Sequence, residues 1–278
     1  MNRPRLTDRT ALLRARRRAE RAPGGMADFL HRAAAAEVEE RLELVNRSFT
    51  APAVVSGFPD LWAGLFPGAA QVTDDEILSL EPGAHDLVVH ALALHWANDP
   101  VGQMVQARLA LRPDGLFLAC LFGGGTLGEL RGALAAAEMA ELDGLSPRVA
   151  PMGEIRDLGA LLQRAGFALP VADSVPLTVS YRTPLHLMRD LRAMGETNAL
   201  AARHRAPVPR RLFTRMAAEY SAVHAAPDGR IPASFELIVL TGWAPAATQP
   251  KPLRPGSATT RLADALGTTE HGAGDSGD

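Results

Sequence analysis

The sequence predicts an α/β protein built on a parallel sheet, and three observations predict it. Leu87–Leu94 is apolar except for His90 and is bounded by turn residues, as a strand buried on both faces is. Leu116–Phe122 is a second run of the same kind. Between them, Asp99-Pro100 opens a helix and Pro113-Asp114-Gly115 closes it, giving the strand–helix–strand order of a βαβ unit.

Composition sets the outer bounds. The chain has 278 residues, 47% of them hydrophobic, which is ample for one sizeable core. A net charge of −2 argues against bulk electrostatic binding to nucleic acid or an anionic membrane. Aromatics at 5% are too sparse for a base-stacking platform. There is no run of eighteen apolar residues, so no membrane span is expected. Cys120 is the single cysteine and lies in an apolar run; a buried small side chain in a reducing, cytoplasmic setting is expected. Lys251 is the only lysine among 29 basic residues, and with the heavy use of Ala, Gly and Pro this suggests a GC-rich bacterial genome.

The elements follow in order. Residues 1–25 form an arginine-rich lead (Arg3, Arg5, Arg9, Arg14, Arg16, Arg17, Arg18, Arg21) ending in Pro23-Gly24-Gly25. It is expected to be an exposed cationic helix with the potential to touch an acidic partner. A helix is expected over Met26–Arg47, then a short apolar stretch at Ala53-Val54-Val55, with Leu61, Trp62, Leu65 and Phe66 covering a core edge. After the βαβ unit, Thr126 and Glu129 have the spacing of a capping box for a helix reaching about Leu142. A further helix runs from about Gly153 to Ala165 and stops at Gly166. Ala168–Tyr181 reads as strand-like stretches broken by Pro170 and Pro176. Thr183-Pro184 opens another helix, one more ends near His224, and Phe235–Leu240 is a late strand. The main domain is set at 26–245, with a Pro/Gly-rich tail over 246–278.

Two ordered sets of residues carry a resemblance. The first is Asp86–Val89, Leu92–Asp99, Arg112–Gly115 and Phe122–Gly124. It resembles the fourth strand, helix and fifth strand of class I S-adenosylmethionine-dependent methyltransferases, above all the malonyl-carrier-protein methyltransferase branch. The second is Thr126–Arg131, Ser146–Arg148, Asp157–Phe167, Met194–Asn198, Gly242-Trp243 and Arg254–Ala258. It is similar to the methyltransferase-like assembly factors of respiratory complex I and their alphaproteobacterial relatives. The resemblance covers roughly residues 70–260. It implies a Rossmann-like, seven-stranded sheet, here with a shortened N-terminal half and extra C-terminal helices, that holds S-adenosylmethionine at the carboxyl ends of its strands. It also implies a methyltransferase-like protein that modifies or helps assemble a complex I subunit. Two alternatives stay open: a degenerate, non-catalytic assembly factor or binding protein, and the arginine hydroxylation associated with the mitochondrial relatives.

The sequence departs from that pattern at one place. The first strand ends in Ser56-Gly57-Phe58-Pro59, with one glycine, no preceding acid and a proline that removes an N–H, where a glycine-rich cofactor loop is expected. The stretch to Asp74 looks too short for a full helix plus a second strand, and the acid expected at that strand's end has no obvious counterpart.

The candidate cofactor-binding residues are Ser56, Gly57, Asp74, Asp75, His90 and Leu92; His95 and Trp96 are the candidate catalytic pair. Asp74-Asp75-Glu76 is either the acidic turn beside an adenine or a solvated loop. His90 would crowd or replace a cofactor, or be a satisfied core histidine. His95-Trp96 falls at a strand's carboxyl end, where an imidazole can exchange protons; its other reading is a structural cap. His85, His90 and His95 are spaced by five, which on a regular strand keeps them from converging on one metal.

Overall fold

The computed structural model describes residues 5–250 and 267–268. Arg254–Ala258 and most of the predicted tail lie outside the described residues. The chain divides into two units, Met1–Pro245 and Ala246–Asp278. The first holds all the described helices and strands. In the second, Ala246 and Gln249 close a turn, the Ala246 N–H donating to Gln249 Oε1 at 3.1 Å.

The first unit begins with α1 (Arg9–Glu20) and α2 (Phe29–Val45). Then come β1 (Pro52–Ser56), α3 (Pro59–Leu65), β2 (Ala70–Thr73) and β3 (His85–Ala91), followed by a 3-10 turn at Leu94–Trp96. α4 (Pro100–Ala110), β4 (Leu111–Phe122), α5 (Gly128–Leu142) and α6 (Ile155–Arg164) continue the chain. β5 (Ala168–Tyr181), α7 (Pro184–Ala193), α8 (Arg210–His224) and β6 (Ile231–Trp243) complete it. The strand order is β2-β1-β3-β4-β6-β5. β1 to β4 run parallel, and β6 is antiparallel to both β4 and β5.

The parallel strands are apolar on both sides because helices cover both sheet faces. Val54, Leu87, Val89, Leu118 and Val239 turn toward α2, α5, α7 and α8; Val55, Val88, Phe117, Ala119 and Ile238 turn toward α4 and α6. Local signals place the helix ends. The Gly102 N–H bonds Asp99 Oδ1 at 2.9 Å and caps α4. Gly166, at φ +85°, ends α6 with its N–H on Gln163 O while the Phe167 N–H reaches back to Leu162 O.

Several expectations are corrected. The sheet has six strands among the described residues, not seven. The Ser56–Asp74 stretch does hold a helix and a strand, both short, and Asp74 directly follows the second strand. Ala168–Tyr181 is one continuous strand; it lies at the sheet edge, where Pro170 and Pro176 need supply no N–H to a second neighbour. Thr126 and Glu129 form no capping box. Leu127 caps α5, and Glu129 instead accepts bonds from the Ser234 N–H and hydroxyl. The lead helix is not simply exposed: Leu12, Ala15, Arg16 and Ala19 are buried along one face of α1.

Candidate functional site

The carboxyl ends of the parallel strands form two neighbouring regions. Over β1 and β2 the space is filled from within. The Arg16 guanidinium of α1 enters the gap beside Gly57, while Leu12 of the same buried stripe packs with Trp96, Ala150, Ala199 and Leu200. A Cβ added at Gly57 would stand 2.2 Å from Arg16 Cζ. Arg16 Nη1 bonds Asp74 Oδ1 at 2.7 Å, with both side chains 4% exposed. Its Cζ lies 5.7 Å from the centre of the Phe58 ring. Arg9 reaches both Asp74 oxygens, at 3.1 and 3.3 Å, and Asp75 Oδ1 at 3.3 Å. Burial would raise the Asp74 carboxyl; the Arg16 and Arg9 guanidiniums outweigh it and hold it below the ordinary aspartate value.

The lead is pinned on both sides. The Thr7 N–H donates to Asn98 Oδ1, and the Asn98 amide donates back to Thr7 O. The Asp8 N–H bonds Ala199 O, and the Ala201 N–H bonds Leu6 O. Asp8 also pairs with Arg203 at 2.9 Å.

The remaining polar groups beneath this region are used internally. Ser56 Oγ accepts the Phe58 N–H. His90 is fully buried, and its Nε2 lies 2.9 Å from Gln103 Oε1. Gln103 gives its amide hydrogens to Asp75 O at 2.9 Å, so His90 is the donor and its Nδ1 carries no proton. Burial pushes the His90 ring down to about 4. His31 behaves alike: burial takes it down to about 4, and its Nδ1 accepts the Trp62 indole N–H at 3.0 Å.

Over β3 and β4 the arrangement is open. β3 stops at Ala91, and Leu92 turns at φ +46° into the Leu94–Trp96 turn. His95 therefore lies off the strand. Its ring is 4.9 Å from Phe122 and its Nε2 is 3.5 Å from Glu196 Oε2. The Trp96 indole donates to the same carboxylate oxygen at 2.8 Å.

Glu196 is delivered by the end of α7. Gly195 takes φ +80°, and the Glu196 N–H returns to Leu191 O. Glycine suits position 195 because φ +80° strains any side chain there, and a Cβ would also crowd Phe58 Cζ at 3.0 Å and Arg16 Cα at 3.2 Å. Burial would raise the Glu196 carboxyl; His95, Arg16 and the Trp96 N–H outweigh it and hold it low. Beside Trp96 and Glu196 is a cavity of about 250 Å³. Leu30, Phe122, Leu130, Leu134, Met152 and Phe235 give it a largely apolar wall, with Arg148, Thr126 and Asn198 at polar positions.

The structure thus gathers Ser56, Gly57, Asp74, Asp75 and His90 around Arg16 and the α1 face. Leu92 is buried at the end of β3, and His95 and Trp96 belong to the neighbouring region. Trp96 lines the cavity and His95 does not. With α1 docked, the residues of the first region do not fit an adenosyl group: the open side of Gly57 holds a guanidinium and the Asp74 carboxylate is doubly paired. Gly123-Gly124-Gly125 approaches protein rather than ligand. A Cβ at Gly123 would meet Glu236 at 2.5 Å, and one at Gly124 would meet Glu154 at 2.2 Å. Sequence reasoning missed Arg16 and Glu196 as members of the site. Leu12, Ala15, Arg16 and Ala19 do carry the i, i+3, i+4, i+7 signature of a buried helical face, with the arginine inside it.

The sheet, its helices on both faces and the carboxyl-end position of the site define a protein of the Rossmann-like methyltransferase type. No family model matches the chain. It is 35% identical over 222 residues to the arginine-hydroxylase NDUFAF5 of Danio rerio, a mitochondrial protein, covering 80% of this chain and 69% of that one. The chain belongs to the family of that protein. The Homo sapiens relative is 34% identical over 222 residues, covering 80% of this chain and 64% of its own length. The malonyl-[acyl-carrier protein] O-methyltransferase of Laribacter hongkongensis is 38% identical over 174 residues, covering 63% and 56%. Among solved structures, a methyltransferase from an antibiotic biosynthesis pathway of Anabaena variabilis superposes with a TM-score of 0.45 at 13% identity, covering 73% of this chain and 96% of that one.

Proposed function

We propose that this protein is a methyltransferase-fold assembly factor for respiratory complex I that works by binding rather than by methyl transfer from S-adenosylmethionine. One observation carries the reading: Arg16 of its own lead helix lies in the gap at Gly57 and pairs with Asp74 at 2.7 Å. A buried ion pair of this kind is hard to displace, because opening it strands a carboxylate in an apolar setting. The family relationship and the complex I resemblance supply the partner, and the lone buried Cys120 supports a cytoplasmic location.

Calorimetric titration of the intact chain with millimolar S-adenosylmethionine tests this. No binding heat is expected, and a saturable one-to-one isotherm overturns the reading. In cells, deletion of the gene should lower complex I content and a His95→Gln copy should restore it.

A second reading, modification of a partner's side chain, is favoured by one observation. The 250 Å³ cavity holds a carboxylate, Glu196, in a mostly apolar wall that also carries Arg148 and Arg192, and a carboxylate is the partner that the arginine named for the mitochondrial relatives would need. Mass spectrometry of the partner subunit, with and without this protein, separates the two.

A further inference from the structure

The outward side of the same lead helix forms a second feature that the site does not use. α1 and α7 wall a cleft of about 860 Å³, which the loop over residues 22–27 also lines. The Ala27 N–H, bonded to Ala193 O at 3.1 Å, ties that loop to the end of α7. Six arginines line it: Arg14, Arg17, Arg18 and Arg21 from the lead, Arg189 and Arg192 from α7. All six are exposed, and among the described residues none stands in an ion pair with a carboxylate. The lining holds one carboxylate, Asp190. Glu20 is exposed on the same helix but outside the lining. In a chain whose net charge is −2, this is a strong local concentration of positive charge.

We propose that this cleft is a docking site for an acidic segment of a partner protein. Three features favour that occupant. The guanidinium fork pairs carboxylates two bonds at a time. The cleft is concave, so an extended chain can enter it, whereas a bilayer surface reaches only its rim. No aromatic side chain lines it, so it offers no stacking platform for nucleic-acid bases. The helix ends contribute as well: Arg17, Arg18 and Arg192 lie in the last turns of α1 and α7, where cations are favoured, so the unliganded cluster is tolerated. The cleft shares Arg192 with the lining of the cavity at Trp96; its other arginines belong neither to that cavity nor to the closed region at Gly57.

The test is fluorescence anisotropy of the full chain with a labelled oligoglutamate peptide, set beside labelled oligothymidylate and phosphatidylglycerol vesicles. The charge-reversed pair Arg17→Glu/Arg189→Glu changes exposed positions only, and Arg164→Glu on exposed α6 surface is the control. The peptide should bind the intact chain and the control alike. The double variant should bind roughly tenfold more weakly or worse, with binding falling as salt rises. Equal affinity of the double variant overturns the proposal. So does tighter binding of the oligonucleotide or the vesicles that the double variant abolishes.

Discussion

The region over β1 and β2 and the region over β3 and β4 share one sheet edge and have opposite characters. The first is closed by charge: Arg16, Arg9 and Asp74 meet beneath a docked helix, and His90 and His31 are neutral and buried below. The second is open and apolar, with Trp96, Phe122 and Leu130 around a cavity and one anionic group, Glu196, in its wall. The carboxyl edge of an open α/β sheet is where ligands enter, and here part of it receives a side chain of the molecule's own lead helix. The glycine loop's absence is therefore coupled to a gain. A single glycine, Gly57, suffices because its neighbour is a side chain of the same molecule.

The largest test breaks the closed half directly. Arg16→Leu removes the cation and leaves Asp74 buried with Arg9 as its remaining partner. With Arg9 still bonded to Asp74 the loss should be about 2–3 kcal/mol, that of a hydrogen bond to a charged group, below the roughly 3–5 kcal/mol of an uncompensated buried charge. Urea unfolding should show that loss, with Arg16→Lys recovering part of it. A cost under about 1 kcal/mol would mean that α1 is held by the apolar contacts of Leu12 with Trp96, Ala150, Ala199 and Leu200, and that charge plays little part.

The next test uses pH, because both depressed histidines belong to the closed half. His31 and His90 titrate near 4 when folded and near 6.5 when unfolded. Between those values the unfolded chain binds more protons, so stability is full above 6.5 and is lost as pH falls toward 4. Each ring contributes a slope of about 1.4 kcal/mol per pH unit within that window. His90→Asn should remove one ring's share of the slope. An unchanged slope would show that His90 is hydrated in solution.

The two halves also differ in how far their sequence reveals them. The open half is marked locally: Asp99-Pro100 and the Leu87–Val89 run each act within a few residues of themselves. The closed half depends on partners far apart in the chain. Arg16 and Asp74 are 58 residues apart, and nothing next to either one names the other. A cluster of eight arginines reads as surface until one of them is placed on the buried stripe of its helix. The same limit explains Glu129, whose spacing suits a capping box but whose oxygens serve Ser234, 105 residues away. It explains β5 too, since a proline forbids an interior strand and permits an edge one, and only the assembled sheet says which applies.

The smallest expected effect tests the boundary between the halves. Glu196 faces both: the field of Arg16 and the ring of His95 on one side, the cavity and the Trp96 indole on the other. Its carboxyl is held below the ordinary glutamate value, so its ionised contribution is present at neutral pH and is lost only as pH falls through that lowered value. Glu196→Gln keeps an oxygen for the Trp96 N–H and removes the charge. The cost should be about 1 kcal/mol, the difference between a charged and a neutral hydrogen-bond acceptor. Urea unfolding of the single and Arg16→Leu/Glu196→Gln double variants measures it. Additive losses would make Glu196 part of the open half's wall. A double variant no less stable than Arg16→Leu alone would make the carboxylate a third member of the closed charge network, and the cavity would then share a wall with the plug that seals its neighbour.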